Sequence, residues 1–265
     1  MSLLEAGNLT VRTADGRELL RDLSFRLARG DRLGLIGESG AGKSLTVLAI
    51  VGLLPAGMTA SGRVLLDGEP VLGAPERVLN TVRGRRVAVV FQDPLAALDP
   101  LMRVGAQVAE PLRRHRGLRG AAARRAALEA LTEVRLSDPD RIARSYPHEI
   151  SGGQRQRVAM AMALACEPSF LIADEPTAAL DGTVQAEMLA LLERLVDARG
   201  MGLLFVGHDL AVVARVSRRI LVLERGRAVE EGEVGDVLRA PSHPHTRDLV
   251  SAARRLHGAL ERMLP

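Results

Sequence analysis

Eight residues constrain this chain more than any others: Gly37-Glu38-Ser39-Gly40-Ala41-Gly42-Lys43-Ser44. They follow the apolar run Leu33-Gly34-Leu35-Ile36 and lead into a second apolar stretch through Leu48, Ile50 and Leu53. A strand, a glycine-rich turn and a helix in that order make an anion cradle. Glycines let successive backbone N–H groups turn to one side, and the helix N-terminus adds the positive end of its dipole. Lys43 supplies a compact ammonium for the β- and γ-phosphates of a nucleotide, and Ser44 a hydroxyl for Mg²⁺. A plain glycine turn gives no reason for lysine and serine to stand at those two positions. The chain carries 36 lysines and arginines, and Lys43 is the one lysine among them. Arginine is a wide planar fork, whereas a tight backbone cradle calls for a slim point charge.

Other continuous apolar runs read as strands covered on both faces: Val87–Phe91, Phe170–Ala173, Leu203–Val206 and Ile220–Leu223. Upstream of the cradle, Leu9-Thr10-Val11 and Leu23–Leu27 read as short strands around a turn at Asp15-Gly16. From Leu101 to Arg144 the pattern changes to helix, most plainly from Ala121 to Val134. Strand–helix alternation on both sides of a helical block predicts an α/β nucleotide-binding core with a helical insertion.

Composition narrows the function classes. At 265 residues, 47% hydrophobic and 26% charged, the chain has the make-up of one or two globular domains. A formal net charge of +4 and 2% aromatic residues offer little to nucleic acid, which takes basic surface and stacking platforms. A single cysteine, Cys166, excludes an internal disulfide framework or a cysteine-based metal cluster. It ends the apolar run Ala159–Cys166, so a buried thiol is expected there. The start, Met1-Ser2-Leu3-Leu4-Glu5, lacks a charged-then-apolar leader pattern, and no apolar stretch approaches the ~20 residues that span a bilayer. The expectation is a cytoplasmic protein whose membrane role, if it has one, runs through a partner.

Two further motifs carry chemistry. The strand Phe170–Ala173 ends in Asp174-Glu175, an acidic pair at the edge where α/β sheets bind ligands. Asp174 is placed to hold Mg²⁺, and Glu175 to polarise an attacking water. Between cradle and acidic pair stands Ile150-Ser151-Gly152-Gly153-Gln154, opening an apolar helix with Ser151 as its N-cap.

Ser-Gly-Gly-Gln ahead of such an acidic pair resembles the signature of the ATP-binding cassette (ABC) ATPases, and the resemblance spans essentially the whole chain. It implies a P-loop NTPase core over 1–93 and 151–240, an antiparallel β subdomain at the N-terminal side, an inserted α-helical subdomain over 94–150 and a tail over 241–265. Carried over residue by residue, it implies catalytic roles for Glu175, His208 and Gln92. It implies ATP binding by Gly37 through Ser44, by Ser151, Gly152, Gly153 and Gln154, and by Asp181. Mg²⁺ falls to Ser44, Gln92 and Asp174. Ala179-Leu180-Asp181 matches the D-loop, with Ala179 where serine or threonine is usual. The aromatic residue that the family stacks on adenine is missing from Val11-Arg12-Thr13-Ala14, which leaves the guanidinium of Arg12 as the candidate for that face.

The stretches Phe91–Pro100, Tyr146–Gln154 and Ile172–Thr177 resemble the oligopeptide, dipeptide and nickel importer ATPases more narrowly. So does Pro241-Ser242-His243-Pro244-His245-Thr246, in which His245 replaces a tyrosine; two histidines on an exposed tail are too few ligands for a closed metal site. The resemblance implies ATP and Mg²⁺ as cofactors, and transmembrane permease subunits, a second ATPase subunit and an extracytoplasmic solute-binding protein as partners, at the cytoplasmic face of the membrane. The basic run Arg113–Arg125 reads as a solvated helix–turn–helix face, or as a docking surface for permease or anionic lipid. Two alternatives stay open: an ATP-binding regulatory subunit with little turnover, and a soluble ABC ATPase outside transport.

Overall fold

The apolar runs resolve into strands whose side chains are almost wholly removed from water: Leu33, Leu35 and Ile36 in one, every residue of Phe170–Asp174 in another. The computed structural model describes residues 2–93, 97–178 and 181–256. In chain order the strands are β1 (Ser2–Arg12), β2 (Glu18–Ala28), β3 (Arg32–Ile36), β4 (Thr59–Leu66), β5 (Glu69–Pro70), β6 (Val87–Val90), β7 (Phe170–Asp174), β8 (Gly202–Gly207), β9 (Arg219–Glu224) and β10 (Arg227–Glu233). The helices are α1 (Lys43–Ile50), α2 (Glu76–Val82), α3 (Val104–Arg116), α4 (Gly120–Glu133), α5 (Pro139–Arg144), α6 (Gly152–Leu164), α7 (Gly182–Arg199), α8 (Leu210–Val216), α9 (Val234–Arg239) and α10 (Pro244–Leu256).

The chain forms two units, Met1–Leu79 with Met201–Pro265, and Asn80–Gly200. The first contains an antiparallel sheet in the order β2-β1-β4-β5 and the strand run β10-β9-β3-β8, in which β3 lies parallel to both β8 and β9. Strands β1 and β2 are eleven residues each, longer than the short strands read from the sequence. The reason is local. Asn8 and Asp22 adopt left-handed φ of 50°, and the β1–β2 register shifts between Ala6 and Leu9. Such irregularities re-aim side chains and break the period-2 pattern, so one long twisted pair reads as fragments.

Helix α10 corrects the expectation of an exposed tail. Thr246, Val250 and Ala253 are buried, and Arg254 donates to the Leu238 carbonyl at 2.9 Å. The segment before it is tied down by Glu230 of β10, whose carboxylate accepts from the backbone N–H of Ser242 at 2.8 Å and of His243 at 2.9 Å. Burial pushes that carboxyl up, but these N–H bonds and the Ser242 and Thr246 side chains outweigh it and bring Glu230 down to about 2. His243 Nδ1 accepts from the His245 backbone N–H at 3.3 Å.

In the second unit β6 and β7 pair in parallel, and α3, α4 and α5 occupy the stretch that the sequence marks as helical. Arginines bridge its elements through guanidinium donors. Arg199 pairs with Glu133 and donates to the Leu164 carbonyl, while Arg194 donates to the Glu133 carbonyl. Cys166, two residues past α6, donates its thiol to the Pro111 carbonyl at 3.3 Å, and burial pushes its pKa up, as suits an inert thiol.

Candidate active site

The cradle joins β3 to α1. Gly42 caps the helix with φ of 104°, which L side chains rarely adopt, and a Cβ there would lie 2.5 Å from Leu20. Gly37 is required by close approach: a Cβ would come within 2.4 Å of the Leu223 carbonyl oxygen. Inside the loop, Ala41 N–H donates to the Glu38 carbonyl, and both the N–H and hydroxyl of Thr46 donate to the Gly42 carbonyl at 2.9 Å. Lys43 is 6% exposed, and its ammonium donates to the carbonyls of Gly37 at 2.8 Å and Glu38 at 3.1 Å. No acidic residue stands in the first turn of α1, so nothing there competes with an anion.

A residue that sequence reasoning passed over braces this loop. Gly226, in the β9–β10 turn after left-handed Arg225, donates its N–H to the Ala41 carbonyl at 3.0 Å and accepts from Arg21 N–H at 2.8 Å. An Arg-Gly pair after an apolar strand marks a tight hairpin, but its long-range bond to the cradle has no local signature.

Parallel register sets the remaining positions within each unit. In the first, Ile36 of β3 lies opposite Gly207 of β8, so the cradle and His208 leave their strands at the same edge. His208 is exposed, and the next residue, Asp209, caps α8 by accepting from Ala211 and Val212 N–H. In the second unit Val90 lies opposite Ala173, so the Gln92 segment and Asp174-Glu175 also leave together. The strand read as Val87–Phe91 ends at Val90; Phe91 has turned partly into solvent, and Gln92 is exposed. Asp174 is 5% exposed. Glu175 has φ of 46°, a left-handed conformation that strains any residue with a Cβ.

Ser151 caps α6 in a reciprocal box: its Oγ accepts from Gln154 N–H at 3.3 Å, and Gln154 Oε1 accepts from Ser151 N–H at 3.0 Å. Arg155, another residue not singled out from sequence, clamps the segment before this cap through the carbonyls of Pro147 and Ile150. Asp181 caps α7 by accepting from Val184 N–H at 3.1 Å. The two helix starts are neighbours, since a Cβ on Gly153 would lie 3.0 Å from Val184 and Arg157 pairs with Glu187 at 2.9 Å. Ala179 and Leu180 of the expected D-loop, and Pro94–Ala96 of the Gln92 segment, lie outside the described residues. Arg12, the candidate for the adenine face, is engaged in an ion pair with Glu18 at 2.6 Å.

Ser44 of the first unit, and Gln92 and Asp174 of the second, carry hydroxyl, amide and carboxylate oxygens, the hard donor types that Mg²⁺ takes. Beside Gln92 lies a cavity of about 630 Å³, lined among others by Phe91, Met102, Gln107, His115, Ala159 and Met162. Burial and the nearby Arg114 and Arg85 hold His115 below the usual imidazole range. Leu101, 85% exposed, and Met102, 38% exposed, follow the same segment.

A buried ammonium in a glycine cradle, and an acidic pair at the edge of a parallel strand pair, define a P-loop nucleotide hydrolase. The family model described as ABC transporter matches residues 20–178. The chain is 43% identical to the oligopeptide transport ATP-binding protein OppD of Salmonella typhimurium, over 99% of this chain and 79% of that one. It is 42% identical to the glutathione import ATP-binding protein GsiA of Pectobacterium atrosepticum, over 96% of this chain and 42% of the relative. Among solved structures, the ATP-binding cassette MJ0796, a post-hydrolysis dimer bound to ADP and Pi, superposes with a TM-score of 0.77 at 30% identity, covering 87% of this chain and 98% of that one. The chain belongs to the ABC transporter family. It is an ATP-hydrolysing transport ATPase whose α/β fold carries an antiparallel β subdomain.

Proposed function

We propose that the chain is the ATP-hydrolysing subunit of an importer for peptides, working with transmembrane permease subunits and a second ATPase subunit at the cytoplasmic face of the membrane. The observation that carries this reading is the likeness to the oligopeptide transport protein along 99% of the chain. Among the described residues no helix is long and apolar enough to cross a membrane, in keeping with attachment through a permease. Nickel, the other cargo of the importer branch that the sequence resembles, has less behind it than peptide, which is the substrate named for this relative.

The residues divide the chemistry as follows. Lys43 and the cradle N–H groups hold the β- and γ-phosphates. Ser44, Asp174 and Gln92 would hold Mg²⁺, which would supply positive charge against the phosphate oxygens. Glu175 takes the proton from the attacking water, and His208 donates to a γ-phosphate oxygen. In a head-to-tail dimer, the Ser151–Gln154 helix start of the partner subunit closes over the phosphates, with Asp181 bracing the shared boundary. Closure assembles the site and drives the permease, whose cytoplasmic helix takes the groove beside Phe91, Leu101 and Met102. The 94–150 segment, with α3, α4 and α5, serves as the helical subdomain of this motion, and an extracytoplasmic solute-binding protein delivers cargo.

Co-purification of the chain with its permeases, followed by ATP-driven uptake of di- and oligopeptides or of Ni²⁺ into vesicles, tests the reading. Peptide-dependent turnover is expected. Turnover driven by Ni²⁺ alone would overturn the peptide assignment, and no recovery of a permease would overturn the importer itself.

A further inference from the structure

His208 is exposed just past the end of β8, yet the backbone on either side of it is closely held. Gly207 ends the strand before it. Asp209, after it, caps α8 by accepting from Ala211 N–H at 2.9 Å and Val212 N–H at 3.3 Å. That helix, Leu210–Val216, has seven residues. So short a helix does not sustain itself in water, and its position is set by what it packs against. Its surface is β3 and β8 of the same unit. Just past its far end, Arg218 N–H donates to the Arg32 carbonyl of β3 at 2.9 Å.

Val213, in the middle of α8 and fully buried, fixes where the helix rests. Its two methyl groups meet two different strands. A Cβ on Gly34 of β3 would lie 2.2 Å from Val213 Cγ1, and a Cβ on Gly207 of β8 would lie 2.9 Å from Val213 Cγ2. Neither glycine has a positive φ, so close approach of the valine, not backbone conformation, is what requires glycine at both positions. The same valine donates its backbone N–H to the Asp209 carbonyl at 3.0 Å. A circuit is thereby closed: Gly207, His208 and Asp209 follow one another in the chain, and Val213 ties Asp209 back to Gly207.

We propose that Val213 is a positioning residue that sets where His208 stands relative to the phosphate cradle. The inference rests on the reading of His208 as the group that meets the γ-phosphate. One methyl bears on the strand that leads into the cradle, the other on the strand that leads into His208, so a single side chain references both. Valine suits the task, since in a helix it keeps one strongly preferred χ1. A close-packed interior transmits a displacement instead of absorbing it, so lifting α8 off either glycine carries Asp209, and His208 with it. A shift of about 1 Å at a reacting group costs on the order of 10²-fold in rate. Lys43 and the cradle N–H groups stay where they are, so the loss falls on turnover and not on nucleotide affinity.

The test measures steady-state ATP hydrolysis and thermal melting of the full chain. Gly207→Ala, whose new methyl collides with Val213, and Val213→Ala, which removes both methyls, should each lower kcat at least tenfold while KM for ATP stays within twofold. The two together should turn over at least threefold faster than either alone, because the methyl added at 207 takes room vacated at 213. Val213→Thr keeps the shape but buries a hydroxyl, so it should melt lower than the parent and still keep kcat within threefold. The proposal is overturned if kcat follows melting temperature across the set, threonine included, if the double variant is no faster than the single ones, or if KM rises as kcat falls. His208→Ala separates this inference from the role given to His208. Full turnover there removes that role and the proposal with it. Loss there, beside unchanged turnover in Gly207→Ala and Val213→Ala, overturns the part given to Val213 alone.

Discussion

The Lys43 ammonium donates to the Gly37 carbonyl at 2.8 Å, so the cation proposed to meet phosphate is also a cross-brace of its own loop. Lys43→Ala should therefore weaken ATP binding at least tenfold, about 1.4 kcal/mol, and loosen the loop as well. Lys43→Arg should fare little better, because a planar fork does not fit a site that is 6% exposed. Equilibrium binding of a fluorescent ATP analogue measures both variants, and unchanged affinity in either would contradict the role.

Glu175 makes two separable predictions. Glu175→Gln should bind ATP as the parent does yet lose steady-state hydrolysis by ~10²-fold or more, since an amide accepts no proton from water. The backbone gives the second. At φ of 46°, Glu175→Gly should be more stable than Glu175→Ala by about 1 kcal/mol, because only the alanine keeps a Cβ in the left-handed region. Thermal melts decide it, and an alanine variant that melts at or above the glycine one would refute the strain.

The groove beside Gln92 predicts an uncoupled variant. Leu101→Asp with Met102→Asp places charge on residues that are 85% and 38% exposed, so the fold should tolerate it. Basal ATPase of the isolated chain should stay within twofold, while stimulation by the permease is lost. Retained stimulation would remove the groove from the coupling route.

Glu230 predicts how the C-terminal helix responds to acid. Its folded pKa of about 2 lies below the ordinary 4.5, so the ionised carboxylate holds Ser242 and His243 fully above pH 4.5. That contribution fades as pH falls from 4.5 towards 2. Hydrogen exchange over 244–256, corrected for its intrinsic pH dependence, should show protection falling across that window. Glu230→Gln should show weaker protection at neutral pH and no such step.

What the sequence disclosed about the site and what it withheld divide by range. The placement of Lys43, Ser151, Asp174 and Glu175 is legible because it is local: each lies at or within a residue of the end of a strand or helix. Gly226 and Arg155 are not, because their value lies in carbonyls that only tertiary register brings near. The strands β1 and β2 read short in sequence because Asn8 and Asp22 interrupt their alternation. The helix Pro244–Leu256 has no local sign of being held down, because the anchor of the segment before it, Glu230, sits on β10.

The reciprocal cap at Ser151 has a consequence in hydrogen-bond polarity. Ser151 Oγ is already an acceptor for Gln154 N–H, and Gln154 Oε1 an acceptor for Ser151 N–H. Both side chains still have hydrogen to give, a hydroxyl proton and an amide NH₂, beside the backbone N–H groups of Gly152 and Gly153 that open the helix. Each oxygen keeps one lone pair, but the donors outnumber them. The helix start is thereby rich in donors without carrying a formal charge, which favours phosphate oxygens there.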